Sequence, residues 1–372
     1  MNSINIISFD VPYPANYGGV IDVFYKIKAF YNEGIKVHLH CYEYGRGEQK
    51  ELENYCETVT YYKRKTGTVS FLSKLPYIVK SRASKTLKEN ILKNDFPILF
   101  EGLHTCFLLS DDALKNRFKI VRNHNVEHHY YKNLAKAEKN DFRKRYFKTE
   151  AKRLKQFEPI LKHANLCLAI SESDLAYFKK TYPTIKNSYA PAFHPSSEVK
   201  INTQKGNYAL YHGNLSVSEN INAVKFLIKK VFNDLPVPLI IAGLNPSKEV
   251  KNLIENNPNV SLVANPTDEK LNELITNAQV NLLYTEQATG LKLKLLNVLF
   301  NGKHCLANNL ILEGSSLKTC CTVANTEKEY KTELIKLMQQ DFTLEQIEQR
   351  KKALTQYSNS ANIKQIIENI TF

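Results

Sequence analysis

Short apolar runs alternate with segments of helical periodicity along this chain, and the series begins twice. In the first half the runs are Ile4–Phe9, Val37–Cys41, Ile98–Phe100, Phe118–Val121 and Leu166–Ile170. Val20, Phe24, Ile27, Ala29, Phe30 and Tyr31 follow the first run at helical spacing and end at Glu33-Gly34. A long charged stretch from about Glu127 to Leu161 also reads as helix. In the second half the runs are Tyr208–Tyr211, Pro238–Ala242 ending in Gly243, Val260–Val263, Val280–Tyr284 and His304–Ala307. Ser216-Val217-Ser218-Glu219 reads as a capping box opening a helix. Apolar strands separated by helices belong to parallel sheets covered on both faces. The expected fold is α/β, with two doubly wound Rossmann-like parallel-sheet domains. With 372 residues the chain exceeds one ordinary core. The expected domains are 1–194, 195–350 and a C-terminal helix, 351–372, packing back towards the first. Ala190-Pro191-Ala192-Phe193-His194-Pro195, with two prolines, is the expected linker. No internal repeat or low-complexity tract interrupts the pattern.

The composition narrows the class. Hydrophobic residues make up 43% and charged residues 24%, as in soluble globular proteins. No apolar run approaches the roughly 20 residues that span a bilayer, and the N-terminus reads as a strand, not a leader. Seven scattered cysteines without metal-ligand spacing are expected as free thiols in a reducing cytoplasm. The net charge is +14, concentrated between Lys63 and Lys93 and again from Lys132 to Lys162. Such a half suits an anionic surface. Tyr61, Tyr62, Phe71, Leu72, Leu75 and Tyr77 interleave with the first cluster, which favours the inner face of a membrane. No nucleic-acid recognition motif is present, and no nucleic-acid partner is expected.

Polar residues gather at the ends of the predicted strands. Pro12 to Gly19 connects the first strand to the first helix, and Gly18-Gly19 would let the backbone approach a ligand. G-x-G-x-x-G is absent, which argues against a nicotinamide site. Arg122-Asn123-His124-Asn125-Val126-Glu127-His128-His129 follows another strand, and His124 can orient or exchange protons with a hydroxyl. The histidine spacing matches no common metal site, and no metal is expected. Glu101 and His104 end a further strand, where they could contact acceptor hydroxyls together with Asn125 and Glu127. In the second half, Thr289-Gly290-Leu291-Lys292-Leu293-Lys294-Leu295-Leu296-Asn297 runs from a strand into a helix. Free N–H groups, the helix dipole and two lysines there suit a diphosphate.

In order and spacing these pieces resemble retaining glycosyltransferases of the GT-B fold, in the family often called family 4, of the bacterial glycan-assembly type. The likeness covers nearly the whole chain. It rests on Gly18-Gly19, His124 in His-Asn-Val-Glu, Ala169-Ile170-Ser171-Glu172-Ser173-Asp174, Gly213-Asn214-Leu215-Ser216, Ala242-Gly243 and Thr289 to Gly302. The resemblance implies that the two domains face a cleft, the second binding a nucleotide-sugar donor and the first an acceptor. It implies transfer of a GDP- or UDP-linked hexose to a glycan or polyprenyl-linked saccharide, with retention and without a metal or other cofactor. His124 would sit beside the transferred sugar. Gly18, Gly19, Gly213, Asn214, Thr289, Gly290, Lys292, Lys294 and Asn297 would serve the donor.

The chain departs from that family where two glutamates are usual, having Thr289 and Asn297 instead. The Arg and Lys usual after the first strand of the second domain give way to Asn214 and to Glu219 or Asn220, which leaves Lys292 and Lys294 as countercharge. These departures keep two alternatives open, a non-catalytic binding protein of the same fold and a sugar-nucleotide epimerase.

Overall fold

A computed structural model describes residues 2–67, 70, 73–138, 140–286 and 292–372. The chain forms two compact units, Met1–Pro195 with Tyr357–Phe372, and Ser196–Gln356.

The first unit holds a seven-stranded parallel sheet in the order β3-β2-β1-β4-β5-β6-β7. Its strands are β1 (Ser3–Ser8), β2 (Lys36–Glu43), β3 (Thr58–Lys63), β4 (Ile98–Glu101), β5 (Lys119–Asn123), β6 (Leu166–Ala169) and β7 (Lys186–Tyr189). Every residue of β1, β4, β5 and β6 is buried, as expected where helices cover both faces. Helix α1 (Gly18–Asn32) packs on one face, and its Val20, Val23, Phe24 and Ile27 share a core with Ile4, Ile6, Val37 and Leu39. Between β3 and β4 runs α2 (Lys85–Ile91).

The charged stretch from Glu127 is not one helix. It splits into α3 (Glu127–Ala137) and α4 (Asp141–Phe157), which pack on each other, followed by a 3-10 turn over Glu158–His163. Asn140 makes the break, because its side chain accepts from the Arg143 N–H and caps the second helix. Helix α5 (Glu172–Thr181) is capped by Ser171.

The second unit holds a six-stranded parallel sheet in the order β10-β9-β8-β11-β12-β13. Its strands are β8 (Ala209–His212), β9 (Leu239–Gly243), β10 (Val260–Ala264), β11 (Val280–Leu283), β12 (His304–Ala307) and β13 (Thr322–Val323). Around them lie α6 (Ser218–Phe226), α7 (Lys248–Glu255), α8 (Asp268–Asn277), α9 (Leu293–Asn301), α10 (Glu327–Gln339) and α11 (Leu344–Leu354). The core joins Tyr211, Leu282 and Leu306 of the sheet to Val224 of α6 and Tyr330 of α10. The helical tail breaks at Thr355–Tyr357. Its last helix, α12 (Asn359–Glu368), belongs to the first unit, where Ile363 and Ile366 pack with the α1 core.

Four local readings change. The capping box at Ser216 does not form. Val217 is the N-cap without a side-chain bond, and the Glu219 carboxylate is drawn away to Lys292. The segment read as a linker is instead an anchored part of the first unit. Ala190, Ala192, Phe193 and His194 are buried, and Phe193 N–H donates to Asp22 Oδ1 at 2.8 Å. Strands β3, β7 and β13 add to the predicted set. Finally, the aromatics among the first basic cluster serve the body of that unit. Tyr62 is buried, with its hydroxyl at 2.9 Å from both His40 Nδ1 and Asn90 Nδ2. Tyr61 accepts from the Gln49 N–H, and Arg64 covers the Tyr77 ring. Phe71 and Leu72 lie outside the described residues.

Among the described residues, no helix is long and apolar enough to cross a membrane.

Candidate functional site

In each sheet the strand order reverses between two neighbours, β1 and β4 in the first and β8 and β11 in the second. Crossovers leave opposite ways there, so a crevice opens at the carboxyl ends of the strands, where open α/β sheets bind ligands. The polar residues picked out in sequence gather at these two places. A cavity of about 720 Å³ lies at the opposite edge of the first sheet, among Asn2, Pro97, Arg117 and Asn165, which precede strands. It holds none of them.

In the first unit the site is built on a buried charge network. Asp22 and Lys26 sit one turn apart on the inward face of α1, 2.9 Å from each other. Arg122 of β5 grips Asp22 with two nitrogens, Nε to Oδ2 at 3.1 Å and Nη2 to Oδ1 at 2.8 Å. The same guanidinium donates to the carbonyls of Ala190 and Pro191. Lys26 Nζ then reaches Glu101 Oε1 at 2.8 Å, and Glu101 Oε2 lies 3.1 Å from His124 Nε2. Burial alone would raise the Asp22 carboxyl, but Arg122 and then Lys26 outweigh it and hold it well below the usual range.

His124 is therefore seated from behind. Its Nε2 faces a carboxylate fixed by Lys26, and the Phe9 ring stands edge-on to the imidazole, centroids 5.5 Å apart. The same Phe9 ring lies 5.5 Å from the His104 ring. It also explains Gly19, where an added Cβ would come within 2.7 Å of the Phe9 ring. Asp22, Glu101 and His124 could turn one ligand atom each to a common point, all within 4.8 Å of one another. Lys26 and Arg122 lie against the same two carboxylates and balance their charge.

Glu101 is fully buried with both oxygens engaged, so it supports His124 instead of facing an acceptor. Gly102, at φ +71°, turns the chain so that His104 folds back against it. His104 Nδ1 then lies 3.9 Å from Glu127 Oε1. Burial, followed by Arg82, holds His104 well below its ordinary pKa. Burial, followed by the Asp174 charge, lifts Glu127 to about 8, against a hydrogen bond from Asn125. Burial thus favours the neutral form of each, so the 3.9 Å contact is not a charged pair, and His104 Nδ1 is buried without a hydrogen-bond partner among the described residues. Gly18 opens the first turn of α1.

In the second unit, β8 ends at His212 and runs into Gly213-Asn214. Asn214 Oδ1 accepts from the N–H and the hydroxyl of Ser216, closing an Asx turn, and its carbonyl accepts from Asn220 Nδ2 at 3.0 Å. Lys292 at the N-cap of α9 donates to Glu219 Oε1 at 2.9 Å. Thr285, just past β11, donates to the same oxygen. Lys294 Nζ lies 3.3 Å from Asn220 Oδ1 and 5.2 Å from the centre of the Tyr211 ring. Burial, then Lys292, lowers Lys294 to about 8 against the pull of Glu219. His212 is pushed down to about 3 by burial and then by Lys294. Asn297 is placed differently from expectation, its Oδ1 accepting from Asn301 in the next turn at 2.9 Å. Thr289 and Gly290 lie outside the described residues.

Gly243 holds this loop cluster together. A Cβ there would stand 1.7 Å from the Gly213 carbonyl oxygen, which is backbone and cannot swing aside. Gly243→Ala should cost about 2 kcal/mol or more, read as a lower unfolding midpoint of the second unit. A midpoint equal to wild type would contradict the close approach.

Sequence reasoning missed Asp22, Lys26, Thr285 and the role of Arg122. Asp22 and Lys26 left one signal, two charges four residues apart on the inner face of an apolar helix. In the sequence Glu219 reads as a capping residue or as a replacement for a missing cation, and Asn220 only as the latter.

No family model matches the sequence. A curated relative from Klebsiella pneumoniae, described as an uncharacterized 44.6 kDa protein in the cps region, is 27% identical over 335 residues, 85% of each chain. Among solved structures, a variant of S. aureus TarM in complex with fondaparinux, alpha-GlcNAc-glycerol and UDP superposes with a TM-score of 0.67 at 11% identity, covering 99% of both chains. HepE of Anabaena in complex with UDP-glucose gives 0.64 at 10% identity over 100% of both. The lipopolysaccharide outer core galactosyltransferase WaaB gives 0.63 at 13% identity, covering 99% of this chain and 100% of that one. At these identities the likeness establishes the fold, and the chain has the GT-B architecture of two Rossmann-like parallel-sheet domains.

Proposed function

We propose that this chain is a retaining glycosyltransferase that moves a hexose from a GDP- or UDP-linked sugar to a glycan or polyprenyl-linked saccharide in cell-surface polysaccharide synthesis. The observation that carries the reading is Lys294, a half-buried cation beside Lys292 and Asn220 at the strand-order reversal of the second sheet, itself without a carboxylate in ion-pair contact among the described residues. Two ammonium groups brought together and partly out of water are costly, and a diphosphate is the ligand that would offset that cost. The UDP and UDP-glucose bound to TarM and HepE, and the cps region of the curated relative, agree in kind.

In this mechanism Lys294 and Lys292 neutralise the departing diphosphate, and Glu219 gives up Lys292 as the donor enters. The bond from the anomeric carbon to phosphate breaks, and a bond to the acceptor oxygen forms on the same face. The leaving phosphate oxygen takes the acceptor proton. Glu101 is held by Lys26 and His124, Asp10 accepts from Tyr17 and the Val11 N–H, and burial favours the protonated form of Glu127. None of these is a free carboxylate base, which supports same-face attack over inversion and also weighs against epimerase chemistry. His124 positions the transferred sugar. The lysines supply the countercharge that a metal gives elsewhere, so transfer proceeds without one. The acceptor's carrier places the enzyme at a membrane surface on the cytoplasmic side.

The reading is tested by incubating the protein with nucleotide sugars and a lipid-linked saccharide fraction. A mass gain of one sugar on the acceptor, persisting in EDTA, is expected. Nucleotide binding without transfer to any acceptor would leave only a binding protein.

Lys294 adds a pH signature. The diphosphate favours the charged ammonium, so binding takes up a proton once the pH exceeds about 8. Nucleoside diphosphate affinity should fall about tenfold per pH unit above that point. Titration calorimetry in buffers of different ionisation enthalpy reads both effects, and an affinity flat from neutral pH through the region above 8 would remove Lys294 from the site.

A further inference from the structure

The outward face of α4 carries a pattern that the catalytic reading does not use. Phe142, in its first turn, is 77% exposed, the highest value among the exposed large hydrophobic residues described. Arg145, Lys148, Lys152 and Lys155 follow on the same side, all exposed. The opposite face, through Ala151 and Leu154, is buried in the first unit. Asp141 and Glu150 are the helix's own acids. Glu150 is buried, accepts from the Ile78 N–H, and lies 3.9 Å from Arg153. None of the four outward cations has a carboxylate within ion-pair distance among the described residues.

We infer that this face of α4 docks on an anionic lipid surface, with Phe142 entering the headgroup layer and the four cations lying over it. An isolated solvated helix face has no use for a phenylalanine exposed to this degree, whereas an amphipathic helix at an interface does. The cations run along the helix beside it, so one plane can meet them together. A nucleic acid would also attract the charge. However, the described aromatics near this face pack inside the hairpin, as Tyr131 does against Phe147, which leaves one exposed ring and no stacking platform. The inference rests on the proposed function only in making the lipid the acceptor's side of the reaction. The physical claim stands or falls by itself.

The test is flotation of the full chain with vesicles of phosphatidylcholine alone and with added phosphatidylglycerol. Binding is expected only to the anionic vesicles and should weaken with salt. Each cation contributes about fivefold to partitioning at such a surface, so Arg145→Gln with Lys152→Gln should lower it about 25-fold. Phe142→Asp should abolish binding in physiological salt. All three positions are exposed and outside the binding machinery, so unfolding midpoints and nucleotide binding should stay at wild-type values. A nucleotide response that survives in every variant separates this proposal from the functional one. The inference is overturned by absence of vesicle binding, by equal binding to neutral vesicles, or by variants that bind like wild type. Salt-sensitive capture of a single-stranded oligonucleotide without vesicle binding would overturn it in favour of a nucleic-acid surface.

Discussion

If the chain is the proposed transferase, His124→Ala should lower glycosyl transfer by about 100-fold or more and leave nucleoside diphosphate binding unchanged. The size follows from the loss of a positioned group at the reacting sugar. The separation of effects follows from where the residues sit. His124 is carried by the first unit, just past β5, whereas Lys292, Lys294 and Asn220 belong to the second. A companion variant isolates the support behind the ring. Glu101→Gln keeps the shape and a hydrogen-bond acceptor for Nε2 but removes the charge, and Glu101→Ala removes both. Transfer should therefore fall less in the first than in the second. Full turnover by His124→Ala would show that the ring is not beside the sugar, and equal loss of nucleotide affinity would show that it is part of the donor site.

The second large effect is on stability. Arg122→Met should destabilise the first unit by about 3–5 kcal/mol, because removing one partner of a buried pair leaves the other charge uncompensated. Arg122 is fully buried, and its loss strands Asp22 and the carbonyls of Ala190 and Pro191. Lys26 and the Phe193 N–H remain on Asp22, which keeps the loss within that range. The pH dependence has a definite sign. Asp22 titrates lower in the folded state than in the unfolded chain, so its pairing stabilises the fold above the unfolded carboxylate range near pH 4. That stabilisation is lost as pH falls below it. Arg122→Met should unfold with a weaker dependence on acid than wild type. Denaturant titrations at neutral and acid pH measure both, and a variant as stable as wild type would mean that the network is not holding the unit together.

What the sequence disclosed depended on burial. Central strands such as β1, β5 and β11 are covered on both faces, so their residues form apolar runs that stand out against helical segments. Strands β3, β7 and β13 lie at sheet edges, and their half-exposed, polar sequences carry no such mark. Candidate ligand groups were visible for a related reason. A dense polar stretch where an apolar strand ends, as at Arg122 to His129, stands out against the runs around it, although Arg122 proves to hold the unit together from within. The partners of those groups were hidden because nothing periodic links them. Asp22 meets Arg122 across 100 positions, and Glu219 meets Lys292 across 73. The failed capping box shows the same limit, since Glu219 has the right spacing from Ser216 but a stronger partner elsewhere.

The most direct measurement is the unfolding midpoint of the protein in UDP, GDP, CMP, ADP and dTDP, each with magnesium and with EDTA, for wild type and Lys294→Met. The account predicts that UDP or GDP raises the midpoint equally in both conditions, by mass action on the folded state. The response should be lost or greatly reduced in Lys294→Met, whose affinity falls about 10- to 150-fold with a charged hydrogen bond removed. No response to any nucleotide, or a response that Lys294→Met retains in full, would contradict the claim that this lysine cluster binds a nucleotide-sugar donor.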